Sequence, residues 1–221
     1  MKVIITGTTG MVGKGVLIEC LYHPKVESIL IINRTSIGLK HPKLKEVIHS
    51  NFFNLTKIEN ELKGYDACFF CLGVSSMGMK EEEYHNLTYN LVINFAKTVY
   101  KLNPNMVFNY VSGQGTDSTE KGRIMWARVK GKTENTILKM GFKDAYMFRP
   151  GVILPEKGVK SKVKLWNILY AIMKPLFPLL ENIKSITTSS KLGVAMINSV
   201  LQGFDKKYLE NTEINQLAKV K

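Results

Sequence analysis

Three glycines near the N-terminus have the spacing of a phosphate-binding turn. Gly7, Gly10 and Gly13 lie between an apolar run, residues 3–5, and a segment with helical periodicity. In such a turn the first glycine permits a sharp bend, the second lets the main chain approach a pyrophosphate, and the third lets the helix pack closely. The free N–H groups at the helix N-terminus attract the anion. The alternative is a turn that serves chain geometry alone.

The residues predicted to bind the pyrophosphate are Gly7, Thr9, Gly10, Met11, Val12 and Gly13.

The end of the second predicted strand indicates which dinucleotide binds. A carboxylate there would accept hydrogen bonds from the adenosine ribose and repel a 2′-phosphate, whereas this chain has Asn33 and Arg34. A guanidinium can pair with a phosphate through two hydrogen bonds. The sequence therefore favours NADP(H) and leaves NAD(H) open. The alternative role for Arg34 is that of a solvated surface residue.

Apolar strands alternate with helical segments over the first two thirds of the chain. Strands are predicted at residues 3–5, 28–32, 47–48, 67–72, 106–111 and 145–148, and helices at 14–22, 58–63, 81–102 and 123–140. This alternation predicts a parallel sheet with right-handed crossovers. The predicted fold class is α/β, a doubly wound, mostly parallel Rossmann sheet with helices on both faces and a small C-terminal lid region.

The pattern changes in the last third of the chain. Residues 163–180 are rich in Leu, Ile, Trp and Phe but contain two prolines, and a final helix is predicted at about 187–201. After residue 206 we expect a tail with at most a short strand. We expect residues 1–155 to form the nucleotide-binding core and residues 156–221 to form a substrate-side extension packed on the same domain.

The composition limits the classes of protein that fit. The chain has 221 residues, of which 45% are hydrophobic, which is enough for one domain with a full core. Its net charge is +13, but the lysines are scattered and form no arginine-rich or aromatic cluster, so nucleic-acid binding is disfavoured. Three cysteines are too few for a disulfide framework and fit a reducing compartment.

Two of these cysteines form a C-x-x-C pattern. Cys68 and Cys71 lie in a predicted strand, where side chains three residues apart point to opposite faces. We therefore expect neither a redox pair nor a metal site there.

No targeting or membrane-spanning segment is evident. The apolar run at residues 3–5 is too short for a secretory signal peptide. No uncharged stretch approaches the roughly 20 apolar residues of a transmembrane helix. We expect a cytoplasmic location.

Later motifs resemble the short-chain dehydrogenase/reductase superfamily. They are Cys71-Leu72-Gly73, Val111-Ser112, Val129-Lys130-Gly131 and Arg149-Pro150-Gly151, in the order and spacing of the atypical and extended branches. Within the superfamily the chain resembles the HIV Tat-interacting oxidoreductase group and bacterial proteins labelled NAD-dependent epimerase/dehydratase. The resemblance covers residues 1–155 well and the remainder loosely. It implies a nicotinamide-dependent oxidoreductase or an epimerase-like enzyme.

The resemblance also implies how residues divide around the cofactor. Leu72 and Gly73 would line the ribose side, and Lys130 would hold the nicotinamide ribose. Asn51 and Phe52 would lie beside the adenine, at a place where family members often have an aspartate.

The catalytic residues of the superfamily are matched only in part. In the family a serine polarises the substrate carbonyl and the tyrosine of Y-x-x-x-K transfers the proton; the resemblance assigns Ser112 and Lys130, but Trp126 stands at the tyrosine position. An indole N–H is a donor that does not titrate usefully, so Trp126 cannot be a general acid or base. It shares a helical face with Lys130, where it could stack on the nicotinamide or serve as a core aromatic.

Other groups could supply the proton. Tyr110 lies two residues before Ser112, on the same side of a strand, and Tyr84, His85 and Tyr89 lie on the preceding helix. Each of them also fits an ordinary packing or surface role.

Basic residues border an apolar segment in the last third. Four lysines between residues 160 and 174 flank the stretch 165–173, which contains a Trp and a Tyr. We expect this stretch to be a lid that selects a small apolar substrate. A homodimer interface is the second interpretation, and a peripheral membrane contact is the third.

Two functional hypotheses follow. The first is an NADP(H)-dependent oxidoreductase, or an epimerase-like relative, acting on a small apolar carbonyl or alcohol. The second, motivated by Trp126, is a catalytically weak or inactive NADP(H)-binding sensor or scaffold that regulates a protein or membrane contact. No metal site is predicted.

Overall fold

The structure is a computed structural model that describes residues 1–159 and 183–220. The strands in these residues are β1 (Lys2–Thr6), β2 (Ser28–Asn33), β3 (Leu44–Ile48), β4 (Ala67–Phe70), β5 (Val107–Val111), β6 (Asp144–Phe148), β7 (Val152–Leu154), β8 (Ile186–Thr188) and β9 (Tyr208–Leu209).

The α-helices in the same residues are α1 (Met11–Tyr22), α2 (Glu81–His85), α3 (Leu91–Leu102), α4 (Met125–Leu138), α5 (Ser189–Leu201) and α6 (Asn211–Leu217). A 3₁₀ helix spans Thr56–Leu62, and a π-helical turn, Asn86–Asn90, joins α2 to α3.

Seven strands form one sheet in the order β3-β2-β1-β4-β5-β6-β9. Every adjacent pair in it runs parallel. The central strands are mostly apolar and buried on both sides, as is typical of a parallel sheet that is covered on both faces by helices. β7 and β8 pair with each other in a separate small parallel sheet.

Alternate strand residues pack against helices on opposite faces of the sheet. Val3 and Ile5 belong to a hydrophobic cluster with side chains of α1, α5 and α6, whereas Ile4 belongs to a second cluster with the 3₁₀ helix and α3. Cys68 packs in the second cluster and Cys71 packs against the first. The predicted α/β fold, a doubly wound and mostly parallel Rossmann sheet, is confirmed.

Some element bounds differ from the prediction. α1 begins at Met11, inside the glycine turn, and β3 begins at Leu44, three residues before its predicted start. The β7–β8 sheet and α6 were not predicted. α6 starts with a capping box formed by Glu210 and Glu213 and has only 7 residues, too few to stand out by periodicity in the sequence.

The C-terminal elements pack on the main sheet. α5 lies against α1, and β9 extends the sheet beside β6. The segment 163–180, predicted to be a lid, falls outside the described residues, and the boundary at residue 155 stays a prediction. Within the two described ranges, no helix is both long enough and apolar enough to cross a membrane.

Two glycines let α1 and α5 approach closely. A Cβ added at Gly15 of α1 would lie 2.8 Å from the Ser189 Cβ and 3.0 Å from the Ser189 carbonyl oxygen. A Cβ added at Gly193 of α5 would lie 3.2 Å from the Val16 Cα. The close approach holds α1, and with it the glycine turn, firmly against the sheet.

Replacement of Gly15 by alanine is expected to weaken this helix contact. Overpacking costs about 1–3 kcal/mol, which exceeds the gain of about 1 kcal/mol from the better helix propensity of alanine. We expect urea unfolding to give a lower free energy of unfolding for Gly15→Ala than for the parent. Gly73→Ala is the matched control, because a Cβ at Gly73 would have no neighbour within 4 Å. Equal stabilities of the two variants would contradict the close packing.

Candidate functional site

The glycine turn is pressed against the end of β4. Gly7 has a φ of +73°, which favours glycine, and a Cβ there would lie 2.7 Å from the carbonyl oxygen of Cys71 and from the Leu72 nitrogen. The Gly10 N–H donates to the Gly7 carbonyl at 2.9 Å. The loops after β1 and β4 therefore meet main chain to main chain.

The other two glycines of the turn differ in how closely the surrounding main chain approaches them. A Cβ at Gly13 would lie 2.4 Å from the Gly7 carbonyl oxygen, so this glycine closes the turn itself. A Cβ at Gly10, the N-cap of α1, would meet only that same oxygen, at 3.3 Å. The surrounding main chain therefore leaves no room for a Cβ at positions 7 and 13. At position 10 a Cβ would make only one tight contact. The open side of Gly10 faces the space where a ligand would lie.

A cleft of about 630 Å³ opens at the carboxyl ends of β1, β2 and β4, within the usual range for small-molecule sites. It is lined by Gly7, Thr9, Gly10, Ile32, Asn33, Arg34, Thr35, Phe52, Cys71, Leu72 and Gly73.

Seven of the twelve residues predicted to bind the cofactor line this cleft: Gly7, Thr9, Gly10, Arg34, Phe52, Leu72 and Gly73.

The other five lie around it. Met11 and Val12 pack their side chains against the first core cluster, and Gly13 is inside the turn. Asn51 is exposed. Lys130 lies beyond Gly73, at the opposite end from Arg34.

A hydrogen-bond network that the sequence analysis missed orders the loop after β2. The Thr8 hydroxyl donates to the Asn33 Oδ1 at 2.9 Å, and the Asn33 Nδ2 donates to the Glu46 Oε1 at 3.0 Å. Glu46 also accepts hydrogen bonds from the Ser36 hydroxyl and from the Ile37 N–H. Burial alone would raise the Glu46 pKa. The hydrogen bonds together lower the pKa by more than burial raises it, so the net shift is downward.

The network leaves different roles to the two residues at the end of β2. Asn33 is buried and bonded within the protein, whereas Arg34 is exposed at the rim of the cleft. No sequence signal marked Glu46, because its contact with Asn33 depends on the register between β2 and β3.

A buried ion pair lies behind the end of β5. The Glu134 side chain is fully buried and accepts from the Arg149 Nε at 3.0 Å and from the Arg149 Nη2. The guanidinium also donates to the Ser118 hydroxyl and lies 4.5 Å from the Tyr208 ring centre. The Ser112 hydroxyl donates to Glu134. The hydroxyl predicted to hold the substrate oxygen is thus bonded to a carboxylate inside the protein.

Ser112, Trp126 and Lys130 do come together. The Lys130 ammonium donates to the main-chain carbonyl of Ser112 and lies 5.9 Å from the Trp126 ring centre. Burial lowers the pKa of Lys130 to about 8, with Glu134 acting in the opposite direction. A Cβ at Gly115 would lie 3.4 Å from the Trp126 ring. Lys130 is therefore a desolvated amine at the edge of the site.

Two of the four alternative proton donors lie beside this lysine. Tyr84 and Tyr110 are buried and, with Lys130, line a small chamber next to the cleft. Burial raises the pKa of both phenols. The His85 and Tyr89 rings contact each other at a tilt, with ring centres 4.7 Å apart, and neither residue lines the cleft or the chamber. Among the described residues, no group of three or more His, Cys, Asp or Glu side chains could hold a metal ion.

The sequence and the fold have relatives among known proteins, although no protein-family model matches the chain. Rat HTATIP2 is 25% identical over 158 residues, covering 71% of this chain and 64% of the rat protein. The mitochondrial protein FMP52 of Candida albicans is 25% identical over 161 residues, covering 71% of this chain and 69% of that protein.

Among solved structures, DesIV of Streptomyces venezuelae, a dTDP-glucose 4,6-dehydratase with NAD and TYD bound, matches with a TM-score of 0.69 and 13% identity. The match covers 99% of this chain and 80% of DesIV.

The chain is thus similar in sequence to HTATIP2 and the FMP52 proteins, which are of the atypical short-chain dehydrogenase/reductase group, and it shares the fold of DesIV. The family resemblance predicted from the ordered motifs is thereby confirmed. That Trp126 occupies the position of the family tyrosine stays a prediction.

The comparison with relatives also shows that the predicted cytoplasmic location is wrong. FMP52 relatives from several fungi are named mitochondrial. The prediction rested on the lack of a secretory signal and of a spanning segment, together with the sparse cysteines. Those observations do not distinguish the cytoplasm from a mitochondrial compartment.

Replacement of Glu134 by glutamine is expected to destabilise the fold strongly. It would remove the buried carboxylate that pairs with the partly buried Arg149 guanidinium and leave it only the more distant, half-exposed Glu210 at 3.9 Å, and breaking a buried pair costs about 3–5 kcal/mol. Urea unfolding should show this loss. Glu81→Gln is the matched control, because the ion pair of Glu81 with Arg128 is exposed (54% and 25% of the side chains) and contributes at most about 1 kcal/mol. A Glu134→Gln protein as stable as Glu81→Gln would show that the pair does not hold β5, α4 and β6 together.

Proposed function

We propose that the cleft binds a nicotinamide dinucleotide and that the protein is an NADP(H)-dependent oxidoreductase acting on a small apolar carbonyl or alcohol. The observation that carries the proposal is the glycine turn at the N-terminus of α1, which faces a cleft at the carboxyl ends of β1 and β4. Strand order reverses between these two strands, and ligands of open α/β sheets bind at such a switch point. DesIV, which shares the fold, has NAD bound in its crystal structure.

The lining of the cleft supports one orientation of the cofactor. The pyrophosphate would lie against Gly7 and Gly10, where the helix N-terminus presents free N–H groups. The adenosine would extend toward Arg34 and Phe52, and the nicotinamide toward Gly73 at the other end. The nicotinamide would then reach the region of Lys130 and Trp126.

The adenosine end favours NADP(H). Arg34 lines the cleft with an exposed side chain. The nearest carboxylate of the network, Glu46, is already bonded to three donors from Asn33, Ser36 and Ile37. A 2′-phosphate would therefore meet a guanidinium.

The substrate side would be formed with the C-terminal extension. The Gln114 N–H donates to the Pro150 carbonyl at 3.0 Å, which joins the loop after β5 to the loop that leads into residues 156–221. These two loops flank the proposed nicotinamide end.

A second candidate function is a cofactor-binding sensor without turnover. The observation that favours it is the state of the catalytic positions: Trp126 cannot transfer a proton, and the Ser112 hydroxyl is bonded to Glu134. Steady oxidation of NADPH with simple aldehydes or ketones would exclude this second function.

Gly10→Asp is expected to abolish cofactor binding. The carboxylate would place bulk and negative charge where the phosphates approach the main chain. A fluorescence titration with NADPH should show binding for the parent and none for the variant up to millimolar concentration. Asn105→Asp adds the same charge at an exposed position just before β5, at the amino ends of the strands, and should bind like the parent. A parent protein that binds neither NADPH nor NADH would refute the proposal.

Arg34→Ala is expected to remove the preference for NADPH. Hydrogen bonds to a charged group contribute about 1.5–3 kcal/mol, so NADPH should bind at least about tenfold more weakly while NADH binds as before. Parallel titrations with the two nucleotides measure this change. Arg123→Ala, which removes an exposed arginine beyond β5, should leave both affinities unchanged. Equal NADPH affinity in parent and Arg34→Ala would contradict the assignment.

A further inference from the structure

A small chamber lies beside the proposed nicotinamide end of the cleft. The two spaces share Leu72 and Gly73 as common walls. The chamber has a volume of about 10 Å³, close to the minimum that one water molecule needs. Whatever enters it from the cleft can therefore be no larger than a single oxygen atom with its hydrogen.

The chamber is polar at several points. Tyr84, Thr88, Tyr110 and Lys130 contribute to its walls. The Thr88 Oγ1 is fully buried and has no hydrogen-bond partner of ordinary geometry among the described residues. It interacts with the Tyr84 phenol through a weak hydrogen bond, which opposes the rise that burial causes in the pKa of that phenol. A buried hydroxyl without a well-formed hydrogen bond is unfavourable, so a ligand oxygen would offer Thr88 a better acceptor.

The local helix geometry explains why the Thr88 hydroxyl is available. A threonine inside an α-helix commonly donates to the carbonyl four residues earlier, as Thr98, Thr133 and Thr136 do here. Thr88 instead lies in the π-helical turn between α2 and α3. Such turns are frequent at functional sites. The turn faces the chamber with a hydroxyl that the helix itself does not use.

Lys130 supplies a titratable group at the same place. Its ammonium donates to the Ser112 carbonyl of β5, with Glu134 one turn along α4, Tyr84 on α2 and Tyr110 on β5 around it. Burial lowers its pKa to about 8, whereas burial raises the pKa of both phenols. An acid with a pKa near the working pH is an effective proton donor, so the amine suits this task better than either tyrosine.

We propose that the chamber receives the reacting oxygen of the substrate, that the Thr88 hydroxyl donates a hydrogen bond to it, and that Lys130 supplies the proton that Trp126 cannot. This inference rests on the proposed function. It gives to Thr88 the role that the family resemblance gave to Ser112, and to Lys130 a proton-transfer role besides holding the cofactor. The substrate class is an aldehyde or an unhindered ketone, because a branched group beside the carbonyl would not let the oxygen enter.

The reaction balances with the cofactor as reductant. A hydride leaves C4 of NADPH with its electron pair and bonds to the carbonyl carbon. The π electrons of the carbonyl move to the oxygen, which takes a proton from the Lys130 ammonium. The products are NADP⁺ and an alcohol, and the neutral amine regains its proton from solvent.

The first test removes the Thr88 hydroxyl and keeps the side-chain shape. Thr88→Val and the control Thr98→Val, which makes the same change on α3, are compared with the parent in three measurements. These are NADPH affinity, reduction of hexanal by NADPH, and binding of hexanamide to the NADPH complex. Hexanamide carries a carbonyl oxygen and accepts no hydride, so it reports on the chamber without turnover.

We expect all three proteins to bind NADPH equally. Thr88→Val should reduce hexanal about 100-fold more slowly, as for loss of a donor to a developing oxyanion, and should bind hexanamide at least tenfold more weakly. Thr98→Val should match the parent in each measurement. Parent-like hexanal reduction by Thr88→Val would contradict the proposed role of the chamber and leave the proposed function intact. A parent protein that binds NADPH but neither reduces hexanal nor binds hexanamide would also contradict the role of the chamber. Absence of NADPH binding refutes the proposed function itself.

The second test addresses the proton donor. Lys130→Arg keeps the positive charge, but a guanidinium does not release a proton in this range, so kcat should fall by about 10²–10⁴-fold. In the parent, kcat for hexanal should fall as pH rises through about 8, because the ammonium form is the donor. Lys132→Arg, on the exposed side of α4, should behave like the parent. A pH-independent parent rate between pH 6 and 10, or full activity in Lys130→Arg, would remove Lys130 from proton transfer.

Discussion

The site depends on one contact between two stretches of main chain. The turn after β1 touches the end of β4 so closely that no side-chain atom fits between Gly7 and the Cys71–Leu72 peptide. The same turn closes on itself at Gly13, which brings the N-terminus of α1 directly over the end of the sheet. The cleft is formed because the main chain of the turn contacts the end of β4 directly, with no side chain between them. The α1–α5 glycine contact then holds the helix in that position from behind.

Charge is organised differently at the two ends of the cleft. At the β2 end, the Glu46 carboxylate is held inward by hydrogen bonds from Asn33 and from the loop after β2, and the exposed Arg34 supplies a positive charge at the rim. At the other end, the Glu134–Arg149 pair is buried, and Lys130 lies within its influence in a desolvated position. One end thus offers a solvated cation for a phosphate, and the other offers an amine that can gain and lose a proton near neutral pH.

The departure from the family pattern at Trp126 is met by a rearrangement around Lys130. The amine donates to a main-chain carbonyl, and the serine hydroxyl turns to Glu134. The available hydroxyl of this region belongs to Thr88, on a helix whose π turn shifts its register. A binding site for one oxygen atom can therefore persist without the family tyrosine, because hydroxyls from α2, the π-helical turn and β5 and the amine of Lys130 line the same small space.

The sequence alone determined the features that depend on local spacing. Alternating apolar strands and helices predicted the doubly wound sheet, and the three glycines predicted the turn at the head of α1, because periodicity and backbone freedom are properties of neighbouring residues. Tertiary structure alone decided which side chains meet. Glu46 reaches Asn33 through the pairing of β2 with β3, Glu134 reaches Ser112 and Arg149 across three elements, and Thr88 and Lys130 line the same chamber. The residues brought together are 13 to 42 positions apart, and such pairings are set by register and packing, which leave no periodic mark in the chain.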